Sequence, residues 1–313
     1  MIGSASQILH SRSGHTLSII TMPTEPVKVN RRRFLRRAAL CTVGGAAAAG
    51  FYAWRVEPHW VDVVERTMPL RNLPAELEGA QLVQLSDIHV GEFVSYPYLQ
   101  HSIDRVAASD PEVVAITGDL MTARHLEQID PVVDLVKRLK PDQRKVIAIP
   151  GNHDYGHGAQ NVKVADVLFE RLTNIGVECL RNQTTTYRGL QFVGLDELWS
   201  GRFSARRALK EFDTARAGIA LSHNPDSVDH NGWDGFQGWV LSGHTHGGQC
   251  RVPYFGAPII PIKNRRYVSG EVSITPETTL YVNRGLGHSL QVRFMCSPEI
   301  TRFRLTSAES APA

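Results

Sequence analysis

Short apolar runs punctuate this chain at intervals, most of them only a few residues long. Residues 82–85, 113–116, 146–149, 219–221 and 239–241 are rich in Val, Ile, Leu and Ala at nearly every position, which predicts buried strands. Helical spacing fills several of the gaps. Residues 98–109 place Leu99, Ile103, Val106 and Ala107 on one face, and Asp110-Pro111 ends that helix. Asp130-Pro131 predicts an N-cap with proline at the first helical position, opening a helix that runs to about Leu139. Val164, Val167, Leu168, Leu172 and Ile175 form a third apolar stripe, stopped by Gly176. Val61, Val63 and Val64 predict an edge strand before a turn around Pro74. Hairpin-like strands are expected over 187–194 and again over 277–305, with Thr301, Phe303 and Leu305 facing one way and Arg302 and Arg304 the other.

Chemistry appears where the apolar runs stop. Directly after them come Ser86-Asp87-Ile88-His89, Gly118-Asp119, Gly151-Asn152-His153-Asp154, Ser222-His223-Asn224 and Gly243-His244-Thr245-His246. Strand ends in an open α/β sheet face one crevice, so side chains just beyond them converge although they are far apart in sequence. A lone His or Asp at a strand end is more often a cap or a solvated loop residue, but five such segments after five apolar runs are not explained that way. Asp87, His89, Asp119, Asn152, His223, His244 and His246 are therefore candidate metal ligands. Imidazoles, carboxylates and one amide oxygen, with no thiolate, suit divalent Mn, Fe, Zn, Co or Ni and are too nitrogen-rich for Ca or Mg. The set is too large for one tetrahedral site, whereas two ions sharing a carboxylate would use all of it. Two ions about 3.5–4 Å apart hold the attacking and leaving oxygens of an in-line displacement and make hydroxide available near neutral pH. That equipment hydrolyses phosphate esters. Gly118, Gly151 and Gly243 stand where strand turns sharply into loop and the backbone has to approach a phosphate or an ion. Pro150 stiffens the turn before Asn152 and His153.

The ordered set D-x-H, G-D, G-N-H-D, H and G-H-T-H, spanning 81–249, resembles the calcineurin-like metallophosphoesterase superfamily. Gly243-His244-Thr245-His246-Gly247-Gly248-Gln249, Tyr281-Val282-Asn283-Arg284-Gly285-Leu286-Gly287 and Pro298-Glu299-Ile300 are similar to a bacterial subgroup of exported or membrane-anchored phosphoesterases. Members of that subgroup are described as phosphodiesterases or as relatives of UDP-2,3-diacylglucosamine hydrolases. The resemblance implies an α/β fold, a four-layer α/β/β/α sandwich, with two divalent metal ions. It implies that Asp87, His89 and His246 bind the first ion, that Asp119 bridges, and that Asn152, His223 and His244 complete the second. His153 is then catalytic rather than a ligand, stabilising charge on the phosphate or protonating the departing alkoxide. The family pattern G-D-x-x-D reads Gly118-Asp119-Leu120-Met121-Thr122 here, so its second carboxylate is absent, and whether Asp154 or another acid orients His153 stays open. His101, His125, His157, His230 and His288 lie outside the pattern and are expected in exposed loops.

The beginning of the chain carries a second signal. Asn30-Arg31-Arg32-Arg33-Phe34-Leu35-Arg36, followed by a moderately apolar Ala- and Gly-rich stretch over 38–54, resembles a twin-arginine export signal. The stretch is at the lower limit of the roughly 20 residues that a hydrocarbon core near 30 Å requires. Residues 1–56 are expected to be a leader, either this signal or a membrane anchor, and 57–313 the metallophosphoesterase domain. An amphipathic basic helix on a membrane surface is the alternative to export. Under export or anchoring the domain lies in the periplasm or on the outer face of the cytoplasmic membrane, with the twin-arginine translocase as a partner. Residues 1–21 show no apolar period, and Met22 would serve as a start close to the arginines.

Composition narrows the function classes. About 260 residues after the leader suit one hydrophobic core. A net charge of +3, several of whose cations belong to the leader, gives no basic stripe, so no nucleic-acid partner is expected. Arg124, Arg251, Arg284 and Arg293 are read as solvated by default, with phosphate contact as the other option. Cys179, Cys250 and Cys296 permit at most one bridge, and three buried thiols are the commoner outcome. The expected activity is phosphodiester or pyrophosphate hydrolysis on a small-molecule, lipid or wall-polymer substrate. Three rivals remain, a UDP-2,3-diacylglucosamine pyrophosphatase of lipid A biosynthesis, a metal-holding wall- or lipid-binding protein without turnover, and a nuclease, which the lack of a concentrated basic stripe disfavours.

Overall fold

The computed structural model describes residues 30–122 and 126–308; the expectations for residues 1–21, Met22, Arg124 and His125 lie outside the described residues. The chain divides into two compact units, Met1–Ala47 and Ala48–Ala313. Helix α1 (Arg31–Phe51) carries the arginine motif and most of the Ala- and Gly-rich stretch, and none of its residues is buried. Among the described residues no helix is long and apolar enough to cross a membrane.

In the second unit the chain runs through β1 (Asp62–Leu70), β2 (Gln81–Leu85), α2 (Tyr96–Ala108), β3 (Val113–Ile116), α3 (Ile129–Lys137), β4 (Lys145–Ala148), α4 (Val162–Thr173) and β5 (Glu178–Cys179). It continues through β6 (Gln183–Tyr187), β7 (Leu190–Gly194), α5 (Ala205–Ala208), β8 (Gly218–Leu221), β9 (Gly238–Ser242), β10 (Gly270–Thr275), β11 (Thr278–Val282) and β12 (Glu299–Ser307). Two six-stranded sheets result, ordered β1-β12-β2-β3-β4-β5 and β10-β11-β9-β8-β7-β6.

Layering explains why the central strands are so largely apolar, with buried Gln84 of β2 an exception whose amide donates to Thr117 Oγ1 (3.1 Å) and Ser242 O (2.9 Å). Leu82, Val113, Ala115 and Ile147 point between the sheets, where they meet Phe192, Ile219, Leu221, Trp239 and Leu241. Their neighbours Val83, Val114, Ile116 and Val146 point the other way, onto Leu99 and Ile103 of α2, Val132 and Val136 of α3 and Leu168 and Leu172 of α4. A strand covered on both faces has no solvated side on which to place a polar residue. The outer face of the second sheet, with Val193, Ala220, Val240 and Leu280, is capped by Ala205 and Ala208 of α5 together with Phe236 and Tyr267. The order is therefore α/β/β/α, with a thin fourth layer.

Local expectations meet mixed outcomes. β1 is an edge strand, and β12 alternates as read, with Thr301, Phe303 and Leu305 buried, Arg302 half-buried and Arg304 exposed. The 277–305 stretch is not a hairpin: β11 pairs with β9 in one sheet while β12 lies between β1 and β2 in the other. β11 takes its antiparallel partner from β10 instead. Helix α3 begins at Ile129, which puts Asp130 inside the first turn rather than at the cap, where its carboxylate accepts from Arg171. Val167 is exposed, because α4 offers the sheet only the narrower stripe of Ala165, Leu168, Phe169 and Leu172.

Candidate metal centre

Acid and imidazole side chains enter where the doubly covered strands β2, β3, β4, β8 and β9 end, and the chain places them there at once. Past β2 and β3 the backbone ladder continues, with Asp87 N donating to Gly118 O (3.0 Å), His89 N to Asp119 O (3.0 Å) and Val90 N to Leu120 O (2.9 Å). It continues with a twist, since Asp87, His89, Asp119, His244 and His246 all adopt left-handed backbone angles, φ between 50° and 69°. Such strain in non-glycine residues persists only where the surroundings over-determine it, and it clusters at functional sites. Glycines let the loops close on one another. A Cβ on Gly243 would lie 1.8 Å from Ser86 Oγ and 2.3 Å from Asp87 Oδ2, and one on Gly151 would lie 2.2 Å from Asp119 Oδ1. The backbone approach expected at these positions is thus made to neighbouring ligand loops.

All of the residues singled out converge, in two groups joined by a third, His89, Asp119 and His153, that shares a member with each. Asp87, His89 and His246 bring their ligand atoms within 4.8 Å of one another, and so do Asp119, His223 and His244. In the first group His246 Nε2 is 3.4 Å from Asp87 Oδ1 and 3.1 Å from His89 Nε2. In the second, His223 Nε2 is 3.2 Å from Asp119 Oδ2, from His244 Nδ1 and from Asn152 Oδ1. Asp119 links the groups, because the same Oδ2 lies 3.6 Å from His89 Nε2. Two ligands each about 2.0–2.2 Å from one ion stand roughly 3.0–3.5 Å apart, which is the spacing found.

Proton positions sharpen the fit. His223 Nδ1 donates to Thr117 O (2.8 Å) and His244 Nε2 to Pro261 O (3.1 Å), so His244 Nδ1 and His223 Nε2 turn their lone pairs toward the same space as Asn152 Oδ1 and Asp119 Oδ2. Acceptors gathered like this require a cation among them. A proton can serve: burial alone would lower the His223 pKa, but Asp119, with Asp87 and Glu197, outweighs it and raises the ring to about 10. Burial pushes His89 and His244 down to about 3 and His246 well below its ordinary value, so these imidazoles are neutral and able to ligate. Burial would raise Asp119, yet the imidazoles of His223, His153 and His89 hold it well below the carboxylate range. Buried Asp87 is raised to about 6. The donor set fits divalent ions.

His153 stands at the rim. Its backbone N–H donates to Asp119 Oδ1 (2.8 Å) and its half-buried ring meets the His89 ring edge-on at 4.9 Å. Among the described residues the ring makes no hydrogen bond. Asp154 does not orient it: Oδ1 accepts from Leu120 N (2.9 Å) and Met121 N (3.2 Å) and Oδ2 from Gly151 N (2.9 Å), which buckles the loop after β4 to the loop after β3. Burial and the nearby Asp119 carboxylate raise Asp154 to about 8. Thr122, at the position of the missing carboxylate, faces His89, with Oγ1 3.2 Å from Nδ1.

Several residues near the centre escaped the sequence. Arg293, read as solvated, is fully buried and donates to the carbonyls of Arg284 (2.8 Å), Gly287 and Cys296, stiffening the loop whose Gly287 N donates to Asp87 O (2.7 Å). Arg284 is tied to Asp62 and Glu299, and Arg251 to Gly247 O and Ser269. His288 is buried with Nε2 on Phe93 O (2.8 Å), whereas His101, His157 and His230 are exposed as expected. Cysteines 179, 250 and 296 are unbridged, and of the three only Cys296 is buried. Trp199 sets its ring edge-on to His244 at 4.4 Å. Neighbouring Glu197, raised to about 7 by burial, follows the apolar strand β7 and so obeys the rule that found the other loops. Beside the centre lies a cleft of about 370 Å³, lined by His153, His244, Trp199, Ile259, Leu290 and Val292 among others.

Comparison with known proteins gives this geometry its relatives. The family model for calcineurin-like phosphoesterases matches residues 80–248. The uncharacterized metallophosphoesterase YkuE of Bacillus subtilis is 33% identical over 293 residues, covering 90% of this chain and 99% of that protein. Phosphodiesterase YaeI of Escherichia coli is 30% identical over 285 residues, covering 88% and 99%. UDP-2,3-diacylglucosamine pyrophosphatase LpxG of Chlamydia trachomatis is 27% identical over 319 residues, covering 85% and 96%.

Proposed function

This chain belongs to the calcineurin-like phosphoesterase family, a family of hydrolases, and on that premise we propose that it cleaves a phosphodiester or pyrophosphate bond at the bacterial cell envelope. The observation that carries the reading is the convergence of two buried donor groups on one shared carboxylate, Asp119. Asp87, His89 and His246 would hold one divalent ion, Asn152, His223 and His244 a second, and Asp119 both. Two such ions supply Lewis acidity toward phosphoryl oxygens and an activated water.

The remaining work falls to side chains of the chain itself. His153 reaches the cleft on a backbone pinned to Asp119, so its ring can give a proton to the leaving oxygen. Trp199, Ile259, Leu290 and Val292 give the cleft an apolar wall that a bound substrate would cover. The arginine motif ahead of the Ala- and Gly-rich stretch supports export to the periplasm or the outer membrane face through the twin-arginine translocase. The LpxG likeness supports a second reading, a pyrophosphatase acting on a UDP-linked lipid. A metal-holding protein without turnover is disfavoured by the His153 ring standing beside the donors.

Purified protein loaded separately with Mn, Fe, Zn or Co should be offered phosphomonoesters, phosphodiesters, nucleotides and UDP-linked lipids. Turnover of diesters or pyrophosphates above monoesters is expected. Metal-loaded protein that turns over none of them would overturn the proposal.

A further inference from the structure

The cleft mouth carries apolar side chains that the fold does not use. Residues 252–256 close into a tight turn, with Val252 N donating to Gly256 O (2.8 Å) and Gly256 N to Val252 O (2.9 Å). At its tip Tyr254 is fully exposed and held at φ 68°, Phe255 is 85% exposed and Ile259, which also lines the cleft, 84%. Exposure of this kind in one short segment exceeds the scattered apolar surface normal for a soluble protein. A left-handed aromatic residue pushed outward is strain without an intramolecular return.

Neighbouring segments extend the patch. Arg251 N donates to Phe294 O (2.8 Å), placing the turn beside a strip with exposed Leu290 and Met295. Arg293 N donates in turn to Ala53 O (2.8 Å), which brings up exposed Tyr52 and Trp54, the latter with Arg55 stacked 4.0 Å above its ring. Charge follows the apolar tip. Between Cys250 and Gly270 there is no Asp or Glu, while Lys263, Arg265 and Arg266 are exposed. Glu57, the acid of the adjoining segment, is buried with its carboxylate on the backbone N–H groups of Met295 and Cys296. Two aspartates accept from this cationic segment, buried Asp226 from the Lys263 and Asn264 N–H groups and exposed Asp229 from Asn264 Nδ2 and the Tyr267 hydroxyl, so Lys263, Arg265 and Arg266 stand against one exposed acid and the segment keeps a net positive charge. Aromatic and aliphatic side chains at the tip with a net positive segment following in the chain are the layout that lies in a headgroup region above acyl chains.

We propose that the 252–259 turn, with Leu290, Met295 and Trp54, is a membrane-contact surface that seats the mouth of the cleft on a bilayer bearing anionic lipids. Resting on the phosphoesterase reading, its consequence is that the substrate is an amphiphile, with its phosphoester in the cleft and its apolar part against Ile259 and Leu290.

Hydrogen exchange read peptide by peptide on the full chain separates this surface from any other contact the chain makes. Vesicles of phosphatidylcholine with about a third phosphatidylglycerol should slow exchange across 252–259 by about ten-fold or more, and pure phosphatidylcholine far less. The double variant Tyr254→Ser/Phe255→Ser should lose that protection while hydrolysing a soluble phosphodiester at the unchanged rate. Protection confined to the arginine-rich beginning of the chain, or protection of 252–259 that appears without vesicles as protein concentration rises, would overturn the proposal. The two readings fail separately: protection without any hydrolysis sinks the phosphoesterase, and hydrolysis without protection sinks the membrane surface.

Discussion

The two donor groups at the strand ends use the same residue types and hold their protons differently. Around Asp87, His89 and His246 the imidazoles are pushed down by burial and ready to ligate. Around Asp119, His223 and His244 burial would likewise lower the imidazoles, but the Asp119 carboxylate beside His223, helped by Asp87 and Glu197, pushes that ring up to about 10. Outer support differs too. His89 leans on a side chain, Thr122, while His223 and His244 lean on backbone carbonyls that no substitution removes. Similar ligand sets thus yield one group open to tuning by mutation and another open to tuning by pH.

Asp119 links the two groups, its Oδ2 lying 3.6 Å from His89 Nε2 and 3.2 Å from His223 Nε2, so breaking it is the severest test of the comparison. Asp119→Asn is expected to lower metal content from two ions toward one or none, with turnover down by on the order of 10⁴. Elemental analysis beside a steady-state assay reads both, and a variant with normal stoichiometry would contradict the shared role. His153→Ala separates chemistry from ligation: metal content stays, while turnover drops by ~10²–10⁴. Full activity in that variant would remove His153 from catalysis.

Thr122→Val sharpens the contrast between the groups. It should weaken the ion on the His89 side by roughly 10–100-fold and leave the other unchanged; competition with a chromogenic chelator resolves the two affinities. Smallest is the effect of pH. A cation entering the second group has to expel the proton that His223 holds below about pH 10, so lowering pH by one unit should weaken that ion about ten-fold. Asp87, raised to about 6, is already ionised at neutral pH, and the first group releases no proton there. Calorimetric titration in buffers of different protonation enthalpy counts the protons, and equal release from both groups would erase the distinction.

Much of this was legible in the sequence because the two sheets are strict about where polarity is allowed. Doubly covered strands write themselves as apolar runs, so β2, β3, β4, β8 and β9 could be read directly, and with them the side chains at their ends that converge in space. Pairing across distance could not. Nothing local says that β12 inserts between β1 and β2 or that β11 joins the other sheet. Side chains whose partners are backbone atoms of distant loops were likewise silent: Asp154 looks like a spare acid and Arg293 like a surface cation until Leu120, Gly151, Arg284 and Gly287 are brought alongside. Trp199 and the 252–259 turn left no period to detect, since loop residues answer to neighbours rather than to a repeat.

The donors hang from both halves of the sandwich: Asp87, His89, Asp119 and Asn152 from one sheet, and His223, His244 and His246 from the other. Ions held there would be rivets through the two plates, and cofactor supply would then be a matter of durability as well as rate. At a thousand times the dissociation constant each rivet adds roughly 4 kcal/mol against unfolding. A cell starved of these metals would lose the protein to proteases as well as its turnover, and heat resistance that climbs with added Mn or Zn would be the outward sign.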